Sequence, residues 1–167
     1  MKKLNIIIIV LNLIGLLVYF NYSIRQKEHI LDNGRLILLK LAPVDPRSLM
    51  QGDYMRLSYG IGENLLLDSL PKRGYVVLKL DEHQVGHDVR FQQGKTPLNA
   101  GEVLVEFTRP NSWGINIGAE SYFFQEGTGE RYEKAEYGGL KVDEKGNSLL
   151  VGLYDGGGVR IDVRYEM

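Results

Sequence analysis

Apolar and polar positions divide this chain unevenly. Leu4 to Phe20 is apolar apart from Asn5, Asn12 and Tyr19. Extended through Tyr22 to Ile24, the run reaches about 20 residues, enough to cross hydrocarbon as a helix. It predicts a transmembrane signal anchor over residues 1–24. A cleaved signal peptide fits less well, because the apolar stretch is long and no small-x-small cleavage site follows it. The rest of the chain, 25–167, alternates with a period of two in short runs separated by turn residues, which predicts strands.

In chain order, His29-Ile30-Leu31 and Leu36 to Leu41 flank Asp32-Asn33-Gly34, and Asn-Gly between two such runs predicts a hairpin. A strand follows from Tyr54, with Met55, Leu57 and Tyr59 on one face and Tyr54, Arg56 and Ser58 on the other. Leu65 to Leu67 is a short apolar piece, and Tyr75 to Leu80 reads as a buried strand. Asp81 to His87 is a connector into Val89-Arg90-Phe91, with Gly86 placed in the turn. Glu102 to Arg109, Trp113 to Ile117 and Glu120 to Gln125 are further strands, whose aromatic residues are expected to pack in the core. Gly127 to Ala135 predicts a short helix with Thr128 at its N-cap, ended by Gly138-Gly139. Leu140 to Val142, Ser148 to Tyr154 and Val159 to Tyr165 complete the set. The expected fold class is mainly β (α+β): an N-terminal transmembrane helix, then a small antiparallel β-sheet or barrel-like domain with one short helix.

Pro43 to Tyr59, PVDPRSLMQGDYMRLSY, holds the densest set of backbone-fixing and polar residues. Pro43 and Pro46 stiffen the connection, Gly52 permits a tight turn, and Asp53 is placed to accept backbone N–H groups at the strand start. Within it, Asp45, Arg47, Gly52, Asp53, Tyr54, Leu57 and Tyr59 form the candidate motif. Two readings stay open. Arg47 pairing with a carboxylate and Asp53 capping the turn would make a clasp that holds the loop's shape. Alternatively, a stiff polar loop on a sheet is a pre-organised recognition surface.

Gly52 to Tyr59 reads GDY, two variable positions, Leu, one variable position, Tyr. It resembles the signature of the GDYXXLXY membrane-protein family at all five fixed positions. Pro43 to Arg47 and Tyr122 to Gly127 are also similar to that family, so the resemblance extends from about Ile30 onward. It implies a bacterial membrane-anchored domain, often encoded beside or fused to polytopic membrane proteins, and it names no reaction.

Composition narrows the chemistry. The 167 residues include no cysteine, which excludes a disulfide framework, a thiolate metal site and a cysteine nucleophile. Formal net charge is −1; without Lys2 and Lys3, 18 basic residues stand against 21 acidic ones. That balance gives no footprint for nucleic acid, which is not an expected partner. Lys2 and Lys3 before the span and Arg25 and Lys27 after it give little charge asymmetry. Orientation rests on the short N-terminal tail and long C-terminal domain, which place the domain extracytoplasmic and the anchor in the bacterial cell (inner) membrane. His83 and His87 have helical metal-ligand spacing but fall in a connector, so no metal or cofactor is expected. Gly156-Gly157-Gly158 lacks the Gly-Lys-Ser/Thr ending of a phosphate loop and reads as a turn.

The sequence therefore points to a membrane-anchored binding or assembly module, held in the lipid bilayer by residues 4–24 and working with a polytopic membrane protein. The alternative is a membrane-associated hydrolase using the Asp45 to Tyr59 region. Its residues are Ser48 with Lys40 or Lys79, in a signal-peptidase-like dyad, or the carboxylates Asp45 and Asp53.

Overall fold

The computed structural model describes residues 2–42, 54–62, 70–110, 114–125 and 128–161. Helix α1, Lys2–Asn33, has 32 residues, about 48 Å of helix. Its apolar part has no proline to break it and is exposed on every side. Beyond Ile24 the helix continues through RQKEHIL, where Arg, Gln, Lys, Glu and Leu are good helix formers.

The expected first hairpin is therefore absent. His29-Ile30-Leu31 is the last part of α1, and Asn33-Gly34 is a helix-to-strand junction. Gly34 N–H donates to the Ile30 carbonyl at 2.8 Å, continuing the helical pattern, and Lys141 Nζ donates to the Gly34 carbonyl at 2.9 Å. A side chain at Gly34 would collide with the Ile30 carbonyl and the Val142 backbone. Close approach, and not a two-residue turn, is what this glycine serves.

Eight strands are seen among the described residues: β1 Arg35–Lys40, β2 Tyr54–Arg56, β3 Arg73–Leu80, β4 Gly86–Gln92, β5 Glu102–Thr108, β6 Ser121–Phe123, β7 Tyr137–Val142 and β8 Ser148–Tyr154. They form three small antiparallel sheets, ordered β1-β7-β8, β2-β6 and β4-β3-β5. Isolated bridges join Leu38 to Val85 and Leu41 to Tyr59, between the sheets, and tie Thr108 of β5 to Asn116. Among the described residues no continuous ladder closes them into a barrel.

One core fills the space between the sheets. Ile37 and Leu39 of β1, Val76 and Leu78 of β3, Val105 and Phe107 of β5, Leu140 of β7 and Leu153 of β8 are its most deeply buried side chains. Met55, Leu57 and Tyr59 join it, so the alternation read from the motif strand holds residue by residue. Tyr122 and Phe124 pack on Tyr132, with ring centroids 5.2 and 5.4 Å away.

Several of the expected details change: within the described residues, the strands expected at Trp113 to Ile117 and Val159 to Tyr165 are only single bridges, at Asn116 and Arg160. Gly138 and Gly139 lie inside β7, where they do not stop a helix. A Cβ at Gly138 would fall 2.9 Å from the Tyr59 ring, and one at Gly139 would collide with the Tyr154 ring, so two tyrosines pack against bare backbone. The short helix is a 3-10 turn, Gly129–Lys134, and the Thr128 hydroxyl does not cap it, donating instead to the Gln125 carbonyl at 2.6 Å. Gly86 opens β4, where a Cβ would come within 3.0 Å of Leu39.

Three loops share one construction. In 81–85, 143–147 and 155–159 the first aspartate accepts the N–H groups two and four residues on with one carboxylate oxygen, at 2.8–3.0 Å. Each fourth position has positive φ: Gln84 at 63°, Gly146 at 89° and Gly158 at 73°. The Asp-x-x-Gly pattern thus closes the β7-β8 hairpin and the turn after β8, and a glutamine takes the strained position in the β3-β4 hairpin.

Candidate functional site

The motif strand presents two different faces. Leu57 is buried and its N–H donates to the Glu120 carbonyl at 2.9 Å. Tyr59 is buried against Gly138 and its hydroxyl donates to the Ala119 carbonyl at 2.7 Å. Burial, with a smaller contribution from the Glu120 charge, pushes this phenol far above its ordinary range, so it stays a neutral donor. Both residues clamp the 114–120 segment to the core. Tyr54 faces the other way, 42% exposed, beside Phe123, which is 73% exposed, with ring centroids 5.8 Å apart.

The structure thus separates two members of the candidate motif. Tyr54 and Tyr59 lie on opposite faces and do not share a polar network. Asp45, Arg47, Ser48, Gly52 and Asp53 lie outside the described residues. Lys40 and Lys79, nominated as partners for Ser48, are both exposed. A serine-lysine dyad needs a desolvated lysine, and neither supplies one.

A cleft of about 970 Å³ lies elsewhere, between the upper end of α1 and the β domain. Ser23, Gln26, Ile30 and Asn33 form one wall, and Leu98, Glu102 and residues 142–145 and 147–149 form the other. The walls are locked together by the burial of Ile30 and by the Lys141 contact to the helix end. Because α1 runs on without a break, Asn33 stands about 14 Å beyond Ile24 along the helix axis, and the cleft opens beside the apolar segment.

Glu102 gives that wall a fixed charge. Its two oxygens accept from Arg90 Nη1 at 2.7 Å and Nη2 at 2.8 Å, and from Asn99 N–H at 2.8 Å and Asn99 Nδ2 at 3.1 Å. Arg90 also donates to the Pro97 carbonyl at 2.8 Å, pinning the 93–101 loop. The Arg90 fork, then the Asn99 N–H, lower the Glu102 pKa to about 2. Apolar Leu98 and Leu149 sit beside amides and charges of both signs, Lys27, Lys145, Asp143 and Glu144. Such a surface suits recognition of a mixed polar and apolar partner.

Sequence reasoning missed this cleft because its walls come from segments 65 or more residues apart. One signal was present: Ile30-Leu31 is an apolar pair in an otherwise polar stretch, and helical continuation would place one of the two against something. His83 lies in the turn after β3, but His87 belongs to β4, with its Nε2 3.3 Å from Asp81 Oδ2. Among the described residues no three His, Asp or Glu side chains are grouped as a metal site would need.

An apolar N-terminal helix carrying a small domain of antiparallel sheets, with a motif strand clamped into its core, defines a class of membrane-anchor-like β proteins. Within it, the GDYXXLXY protein family profile matches residues 16–153, and the chain belongs to that family. Comparisons with curated proteins and with solved structures found no similar chain.

Proposed function

We propose that the protein is a single-pass, membrane-anchored binding or assembly module without catalytic activity of its own. Residues 4–24 of α1 hold it in the bacterial cell (inner) membrane, the β domain lies on the extracytoplasmic side, and the partner is a polytopic membrane protein. The observation that carries this reading is the continuity of α1: one unbroken helix forms both the apolar segment and a wall of the cleft. A ligand-binding surface fixed at that height meets what projects from the bilayer sooner than what diffuses in solution.

The test combines alkaline extraction and protease shaving with mild-detergent purification of the full-length chain beside Leu98→Glu/Lys145→Glu, both exposed positions of the cleft. The reading expects a chain that resists extraction, is cut only from outside, and co-purifies with a polytopic protein that the variant loses while its circular dichroism is unchanged. An extractable chain, or a partner held equally by the variant, overturns it.

A further inference from the structure

The cleft beside α1 reaches from inside the apolar run to just beyond it. Ser23, on its helix wall, belongs to the last turn of the Leu4 to Ile24 segment. Lys27, on the same wall, stands three residues beyond Ile24, about 4.5 Å along the helix axis. Tyr19, Phe20 and Tyr22 lie exposed near the end of the segment, the aromatic pattern of a headgroup level. Gln26 of the cleft wall donates to the Tyr22 hydroxyl at 3.0 Å. With α1 retained as an anchor, as proposed above, the cleft opens at the height of the lipid phosphates.

Two acids of this space are committed, and its lysines are not. Glu102 is neutralised by the Arg90 fork. The Asp143 carboxylate is turned into its own loop, accepting from the Lys145 and Asn147 N–H groups at 2.9 and 2.8 Å and from Asn147 Nδ2 at 2.7 Å. Lys27 on the helix wall and Lys145 on the opposite wall are exposed, and among the described residues neither ammonium has a hydrogen-bond or ion-pair partner. The positions three and four away from Lys27 are Ser23, Ile24, Ile30 and Leu31, so its own helix offers it no acid. Arg35 has only Gln84 Oε1, at 3.5 Å. With the pair of Glu102 and Arg90 set aside, Lys27, Arg35 and Lys145 stand against Asp143 and Glu144, and the excess is positive. The volume, about 970 Å³, is that of a small-ligand site.

We infer that the cleft binds the headgroup of an anionic phospholipid, its phosphate held by Lys27 and Lys145 from opposite walls. The phosphate oxygens accept the charge-assisted hydrogen bonds that neither lysine makes within the chain. Leu98 and Leu149, in the same lining, cover the glycerol and the first methylenes. The acyl chains continue along the apolar side of α1, which is exposed where the cleft ends. The negative end of the α1 dipole, at Asn33, keeps the phosphate low in the cleft, beside Lys27. A free phosphate would offer the same oxygens but nothing to meet the apolar part of the lining. The inference rests on the binding-module reading and deepens it, because the bound lipid becomes part of the surface shown to the membrane partner.

The test uses the full-length chain in mild detergent, washed free of lipid, titrated with dioleoyl phosphatidylglycerol and followed by native mass spectrometry. The native chain should bind this lipid about tenfold more tightly than dioleoyl phosphatidylcholine. Lys27→Gln/Lys145→Gln should weaken binding about tenfold, the loss of at least one charge-assisted contact. Circular dichroism should not change, because both side chains are exposed. Lys27→Arg/Lys145→Arg should keep the lipid, and so should Arg25→Gln, which is exposed near the same depth but outside the cleft lining. Inorganic phosphate should not displace it. No bound lipid, equal affinity for the two lipids, equal loss from Arg25→Gln, no loss from the double glutamine variant, or displacement by inorganic phosphate each overturns the site. A lipid site that fails while a polytopic protein still co-purifies leaves the binding module standing. A chain extracted at alkaline pH removes the anchor, and the lipid site with it.

Discussion

On the motif strand, Met55, Leu57 and Tyr59 point into the core, while Tyr54, Arg56 and Ser58 point to solvent. Adjacent residues of one short segment thus carry different burdens. The inward set fixes the fold, through apolar contact and the Tyr59 bond to Ala119. The outward set leaves an aromatic pair, Tyr54 and Phe123, with little to hold it but its own strand pairing. The family signature spans both faces, so matching it says less about a single site than about a strand that must be both buried and displayed.

Substitutions across that divide should have unequal effects. Leu57→Ala removes a buried side chain and is expected to cost about 2–5 kcal/mol, read as a large fall in thermal midpoint of the full-length protein in detergent. Tyr59→Phe keeps the ring over Gly138 but leaves the Ala119 carbonyl unpaired, and should cost roughly 1–3 kcal/mol. If Tyr59→Phe unfolds as the native chain does, the hydroxyl is not the clamp.

Glu102 sharpens the comparison from outside the strand, because it is a largely covered carboxylate given structural weight by Arg90. Its folded pKa, about 2, lies below the ordinary 4.5. The stabilisation it supplies is therefore complete above about pH 4.5 and is lost as pH falls toward 2. Unfolding midpoints followed across that window should drop less steeply for Glu102→Gln than for the native chain; parallel curves would remove Glu102 from the account.

Gln84→Gly relieves a positive φ and should raise stability by about 0.5–1 kcal/mol, while a loss would mean that the glutamine side chain does more than tolerate the turn. Tyr54→Ala, on the outward face, should change stability by no more than about 0.5 kcal/mol beyond the loss of its ring contact.

Much of this was legible locally. Period-two alternation located β2 and β5 and told the two faces of β2 apart, and a short apolar run located β3. What could not be read was pairing at a distance: β1 with β7, or β2 with β6, because nothing in a strand's own sequence names a partner some 65 to 100 residues away. The glycines misled for a related reason. Gly34, Gly86, Gly138 and Gly139 were read as turns or stops, but each is a place where another segment presses against backbone, which only the assembled fold reveals. The cleft was hidden by the same mistake, since ending α1 early removed one of its walls.

The central claim is that α1 carries the cleft rigidly from the apolar segment. The chain has no cysteine, so paired spin labels can be placed cleanly at Tyr22→Cys and Val89→Cys, both exposed, in the full-length protein reconstituted in liposomes. The account predicts a single narrow distance distribution. A broad distribution would mean that the domain swings on its helix, and would contradict it.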